Sequence, residues 1–221
     1  MRIRVKVCGI TRAQDAEAAV LAGADAIGLV FHAASPRALA LMQARTLVAN
    51  IAPFVTTVAL FADPVRDQVQ RVLDAVQPDL LQFHGEEDEA FCTQFDLPYL
   101  KAVRVGDRAL DAAALAVHPV ARALLLDRLD SAQAGGTGRA FDWALVPPRA
   151  RRRLILAGGL HAGNVGTAID LVRPYAVDVS SGVESAPGIK DARRIDEFMQ
   201  AVRRAEAALA AGTGEQDDEL A

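Results

Sequence analysis

The sequence predicts a single-domain α/β protein, a closed (β/α)8 barrel of the TIM type over residues 1–210. Three observations carry that expectation. Short runs rich in Val, Ile and Leu alternate with amphipathic, Ala-rich segments eight times from end to end. Several runs, "ALLLD" (123–127) and "LILAG" (154–158) among them, are apolar throughout, as strands must be when a parallel sheet is covered on both faces. No linker interrupts the series, and 221 residues suit one compact barrel with short loops. A doubly wound open sheet is the alternative built from the same units.

The strands are expected at 3–8, 26–31, 55–61, 80–84, 99–103, 122–127, 153–157 and 176–180. The first, "RIRVKVCG", alternates charged and apolar residues before ending in a thiol and a glycine. Helical patterns fall at 12–22, 37–50, 65–76, 86–95, 109–117, 142–149, 162–172 and 191–210. Thr11 or Asp15 can cap the first, Pro64 suits a first helical turn, and "QPD" (77–79) closes the third. Pro147 and Pro148 must truncate the sixth.

The chain is 52% apolar and 24% charged, which fits a large core and excludes a disordered chain. No apolar run approaches the roughly 20 residues needed to cross a bilayer. The basic, alternating N-terminus lacks the apolar region of a secretory signal. Cys8 and Cys92 then read as reduced thiols of a cytoplasmic protein, and no pair of His or Cys has zinc-ligand spacing. The formal charge of −4 belongs to the tail, where Glu215, Asp217, Asp218 and Glu219 have no basic companion. Residues 211–221 are expected to be an acidic, disordered tail. "RARRR" (149–153) lacks the basic face and aromatic platform of a nucleic-acid site and suits a surface turn.

In such a barrel the chemistry lies at the carboxyl ends of the strands. Cys8 and Gly9 end the first strand, and "SPR" with Arg37 follows the second. Gln82, His84 and Gly85 end the fourth, and Asp127 ends the sixth. Gly158 and Gly159 follow the seventh, and Ser180, Ser181 and Gly182 the eighth. Glycine-rich turns let backbone N–H groups approach an anion, and the seventh and eighth loops of barrels commonly hold a phosphate. "GGTG" (135–138) has no Lys-Ser or Lys-Thr after it, so it is read as a lid and not a nucleotide cradle.

Each residue also has a plainer reading. Cys8 could fill the core, Asp127 could cap a helix or pair with Arg128 or Arg139, and Arg37 could start a helix. His84 could bond the barrel rim, and Asp178 could line the barrel or orient the site. Cys92, beside Phe91 and Phe95, reads as packing; His32, His118 and His161 read as loop or cap residues.

Taken in register, "KVCGITR", "SPR", "QFHG", the strand-6 Asp with "GGTGRAFDW", "LAGGL" and "DVSSGVESAPGIKD" resemble the phosphoribosylanthranilate isomerase family of tryptophan biosynthesis over about residues 4–207. The departures are small: Phe83 where Leu is commoner, and "HAA" before "SPR". The resemblance implies an Amadori rearrangement of N-(5-phosphoribosyl)anthranilate to 1-(2-carboxyphenylamino)-1-deoxyribulose 5-phosphate, without metal or organic cofactor. It implies Cys8 as general base, Asp127 as general acid and Arg37 on the anthranilate carboxylate, with the phosphate in the loops after strands 7 and 8. For those roles either the Asp is raised and the thiol lowered from their ordinary values, with Lys6 or Arg37 as neighbour of the thiol, or a minor, correctly protonated fraction carries the flux; the sequence does not separate the two. The expected partner is a small phosphorylated molecule, without nucleic acid or membrane, for a monomer or homodimer. A related isomerase of histidine biosynthesis would want a carboxylate where Cys8 stands. A silent sugar-phosphate-binding barrel would not need both Cys8 and Asp127.

Overall fold

The computed structural model describes residues 2–106, 116, 118–128, 142–146 and 154–214. Eight strands, β1 (Arg4–Cys8), β2 (Ala26–Val30), β3 (Thr56–Phe61), β4 (Leu80–Phe83), β5 (Tyr99–Val105), β6 (Ala123–Arg128), β7 (Leu154–Leu156) and β8 (Ala176–Val179), pair in sequence order as a closed barrel. Every pairing is parallel, and β8 returns to β1 with Arg4 opposite Ala176 and Lys6 opposite Asp178. Closure leaves no edge strand in the barrel.

The pleat sorts side chains to two faces. Val58, Leu100, Ala102, Ala123, Leu125, Ile155, Ala157 and Ala176 form one buried cluster inside the barrel. Val5, Val7, Ile27, Leu29, Leu81, Phe83, Leu124, Leu126 and Val177 face outward into the larger core beneath the helices. There Phe83 meets the rings of Phe61, Phe91, Phe95 and Tyr99, with centroids 5.8–6.2 Å apart. Cys92 is buried in the same core, as its packing role required.

The outer helices are α1 (Ala13–Ala22), α2 (Leu41–Val48), α3 (Arg66–Val76), α4 (Glu89–Cys92), α5 (Val165–Val172) and α6 (Ala192–Gly214). Several depart from expectation for local reasons. α2 starts four residues late, because Ser35–Arg37 makes a turn and Ala38 bridges to Val30. α4 is one capped turn, with Asp88 accepting from the Phe91 N–H, and passes into a 3-10 turn that Asp96 ends in a left-handed conformation. Neither Thr11 nor Asp15 caps α1: Thr11 donates to the Gly188 carbonyl, and buried Asp15 binds Arg12 and the Lys190 N–H. Gln77, left-handed, does close α3.

The expected helix at 142–149 is a 3-10 turn at Trp143–Leu145 as far as it is described. The helix at 109–117, residue 116 apart, the GGTG stretch and residues 215–221 lie outside the described residues. α6 runs to Gly214, so the last helix passes the expected boundary at 210. A two-stranded antiparallel ribbon, β9 (Glu184–Ala186) with β10 (Ile189–Lys190), follows β8 and was not foreseen. No described helix is long and apolar enough to cross a membrane.

Candidate active site

Since side chains alternate along each strand, the inward positions at the barrel's carboxyl end belong to Lys6 and Cys8 on β1, Gly28 on β2, Gln82 on β4, Asp127 on β6 and Asp178 on β8, with His84 following β4. They fall into three connected groups.

The first is built on β1 and β8. Lys6 Nζ lies 3.0 Å from both carboxylate oxygens of Asp178, each residue being almost fully buried. Burial pulls the Lys6 ammonium down, but the charges of Asp178 and Cys8 lift it further, so its net shift is upward and it stays charged. Cys8 is buried beside it. Burial pushes the thiol above its ordinary value of 9.0, and the neighbouring Lys6 and Lys190 charges only partly oppose that. The cationic neighbourhood expected for Cys8 is therefore present, but the expected lowering is not, because desolvating a thiolate outweighs it.

The second group joins β4 to β6. His84 Nε2 lies 3.1 Å from Asp127 Oδ2, and His84 Nδ1 lies 3.1 Å from Gln82 Nε2. The other Asp127 oxygen accepts from the Arg128 backbone N–H at 2.8 Å. Asp127 thus pairs through the main chain of Arg128, while Arg139 lies outside the described residues. Asp178 is near enough to sense the charges of both Asp127 and His84, which ties this group to the first across the barrel mouth.

The third group surrounds Glu184, which sequence reasoning quoted but did not single out. Arg37 donates from Nε (2.8 Å) and Nη2 (2.7 Å) to its two oxygens, and Lys190 Nζ sits 2.7 Å from Oε1. Lys190 also donates to the carbonyl and hydroxyl of Ser180. Two cations share one buried carboxylate, leaving an excess positive charge that suits an anionic ligand. Arg37 does not begin a helix; it lies across Gly9, where an added Cβ would stand 2.4 Å from Arg37 Cδ. Glu184 thus occupies the Nε–Nη2 edge of the guanidinium. No signal in a single sequence separates Glu184 or Lys190 from surface charges, since their partners lie 147 residues away or on a ribbon.

The glycines after β7 are both left-handed, Gly158 at φ 78° and Gly159 at φ 67°. A Cβ on Gly158 would stand 2.8 Å from the Arg128 nitrogen and 2.9 Å from Asp127 Oδ1, so the turn lies against the Asp127 carboxyl. Ser181 and Gly182 form a 3-10 turn after β8, and Gly182 packs on the Leu160 carbonyl so tightly that a Cβ would be 1.9 Å from it. The seventh and eighth loops are thus in contact. Of the other histidines, His118 is buried and bonded to the Tyr99 hydroxyl at 3.1 Å, while His161 and Asn164 bond each other's turn. No group of three or more His, Cys, Asp or Glu among the described residues is placed to hold a metal ion.

Comparison with known proteins bears on this arrangement. The profile of a family described as PRAI, N-(5'-phosphoribosyl)anthranilate (PRA) isomerase, matches residues 5–201. The N-(5'-phosphoribosyl)anthranilate isomerase of Pseudomonas fluorescens (strain SBW25) is 54% identical over 207 residues, covering 94% of this chain and 99% of that one. The crystal structure of phosphoribosyl anthranilate isomerase from Thermotoga maritima superposes with a TM-score of 0.82 at 39% identity, covering 91% of this chain and 98% of that one. A phosphoribosyl anthranilate isomerase in complex with reduced 1-(o-carboxyphenylamino)-1-deoxyribulose 5-phosphate gives a TM-score of 0.78 at 37% identity, with the same coverage.

Proposed function

The chain belongs to the N-(5'-phosphoribosyl)anthranilate isomerase family, and we propose that it carries out the Amadori rearrangement of that substrate, in tryptophan biosynthesis, with Cys8 as general base and Asp127 as general acid. Asp127 protonates the ribose ring oxygen, the ring opens, and an imine forms between sugar carbon 1 and the anthranilate nitrogen. The imine acidifies the proton on carbon 2. Cys8 takes that proton, giving an enolamine, which tautomerises to the ketone of 1-(2-carboxyphenylamino)-1-deoxyribulose 5-phosphate. No electrons leave the substrate, so the reading needs no cofactor. Each proton transfer to or from a placed side chain typically contributes about 10²–10⁴-fold.

The observation that carries the reading is the placement of Cys8 and Asp127 at inward strand tips on one rim, each with a partner suited to its task. Lys6 beside the sulfur stabilises a thiolate. The Arg128 N–H, with His84 Nε2 within hydrogen-bond reach on the other oxygen, meets the charge that grows on Asp127 as its proton leaves. Arg37, held by Glu184, offers its free edge to the anthranilate carboxylate. The touching loops of Gly158–Gly159 and Ser180–Gly182 take the phosphate, with Lys190 as the nearby charge. The enzyme works in the cytosol, where both thiols stay reduced.

Loss of phosphoribosylanthranilate fluorescence, followed with wild type beside Cys8→Ala and Asp127→Asn, tests this. Turnover by wild type and a loss of about 10²-fold or more in each variant are expected. Full activity in either variant removes that residue from its role.

A further inference from the structure

Gln82 is fully buried inside the barrel, and its Oε1 has no hydrogen-bond partner among the described residues. A buried, half-satisfied amide is costly, and Leu or Met would fill a strand position in register with Leu100 without that cost. Its one bond runs from Nε2 to His84 Nδ1, at 3.1 Å. An amide NH2 can only donate, so Nδ1 must be the bare nitrogen and Nε2 must carry the proton. That proton points at Asp127 Oδ2, 3.1 Å away. We propose that Gln82 is a positioning residue that sets the direction of the His84–Asp127 hydrogen bond, making His84 a donor to Asp127. The inference rests on the reading of Asp127 as general acid and deepens it.

The consequence is electrostatic. With Gln82 donating, Asp127 accepts two N–H bonds, from His84 on one oxygen and from Arg128 on the other. Both strengthen as negative charge develops on the carboxyl, so they assist departure of its proton toward the substrate. An acceptor in place of the Gln82 NH2 would move the histidine proton to Nδ1. Nε2 would then face Asp127 with a lone pair, and that assistance would be lost. Other charges facing His84 come from Asp178 on β8, with Lys6 of β1 paired to it. Arg104 on β5 is instead turned toward Glu86 at 3.4 Å. None of these contacts Nδ1, so the choice of tautomer falls to Gln82.

Nitrogen-15 NMR of the His84 ring, read in the whole protein without ligand, tests the inference directly. Wild type is expected to show a protonated Nε2 and a bare Nδ1; the reverse pattern overturns the proposal before any variant is made. In Gln82→Glu, whose carboxylate accepts only, the proton is expected on Nδ1. In Gln82→Met, of similar volume, a mixture of tautomers is expected, with a higher melting temperature because the orphaned oxygen is gone. A bare Nδ1 retained in both variants overturns the proposal. Kinetics then separate the two readings. A fall in kcat of about tenfold in Gln82→Met and more in Gln82→Glu, with KM changing less than about twofold, is expected from the loss of one or more net hydrogen bonds. A tautomer that moves while kcat does not upholds the Gln82 assignment and removes Asp127 from its role as acid.

Discussion

Arg37, on the turn after β2, and Glu184, at the start of β9, are joined by two hydrogen bonds of 2.8 and 2.7 Å, and the same carboxylate holds Lys190 at 2.7 Å. Removing the anion between half-buried Arg37 and buried Lys190 leaves the two cations repelling each other. On the proposed role of Arg37, which is to hold the substrate carboxylate and not a reacting atom, Glu184→Gln should raise KM for phosphoribosylanthranilate by about tenfold or more, with a smaller change in kcat. Steady-state kinetics decide this, and an unchanged KM removes the positioning role.

The same contact has a pH signature. Burial raises the Glu184 carboxyl, but the bonds and charges of Arg37 and Lys190 more than offset it, and the group sits below its ordinary 4.5. A depressed folded value contributes stability that is fully present above the unfolded value and is lost as pH falls through the folded one. Urea unfolding of wild type and Glu184→Gln should therefore differ by about 3 kcal/mol at pH 6–7, a size expected for breaking a buried pair. The difference should shrink only below about pH 4.5.

Cys8 is expected to titrate high. With burial outweighing Lys6 and Lys190, the thiol titrates above its ordinary 9.0, so alkylation by iodoacetamide should climb with pH through neutrality and still be climbing at that value. Cys92, pushed up to about 12 by burial, should stay unlabelled in the folded protein below pH 9. Lys6→Met should move the Cys8 midpoint higher still. A wild-type midpoint near 7 would contradict the desolvation argument.

Gly28 stands beside Cys8, the proposed base, on the neighbouring strand. A Cβ there would lie 2.7 Å from Cys8 Sγ and 3.1 Å from Lys6 Cε. Gly28→Ala should displace the thiol by a sizeable fraction of an ångström. A loss of up to about 10²-fold in kcat is expected for misplacement on that scale, with an unchanged far-UV circular dichroism spectrum.

Stability is concentrated on the other face of the strands. Phe83 is fully buried among Phe61, Phe91, Phe95 and Tyr99. Phe83→Ala should cost about 3–5 kcal/mol, read as a fall in melting temperature on the order of 10 °C. A shift under 2 °C would show that the helices collapse onto the vacated space.

Much of the site was legible because strand tips are punctuated. Cys8, His84 and Asp127 each end an apolar run, and Gly158 with Gly159 announces a turn where left-handed backbone is needed. Helix starts were less legible. "SPRALAL" has the spacing of a helix, yet the bridge from Ala38 to Val30 extends the chain to Leu41. The β9–β10 ribbon carries only five residues and two turn-forming ones, too little for any period to show.

The eight strands in their order, and the order of polar residues at their ends, were determined by the sequence alone, because hydrophobic period and turn chemistry are local. The tertiary structure alone decided who meets whom across the barrel. Barrel closure brings Lys6 to Asp178, 172 residues apart, and His84 to Asp127, 43 apart. It also decided that Cys8 titrates upward, because the balance between a lysine's charge and the cost of desolvation depends on burial, and burial exists only once the barrel has closed.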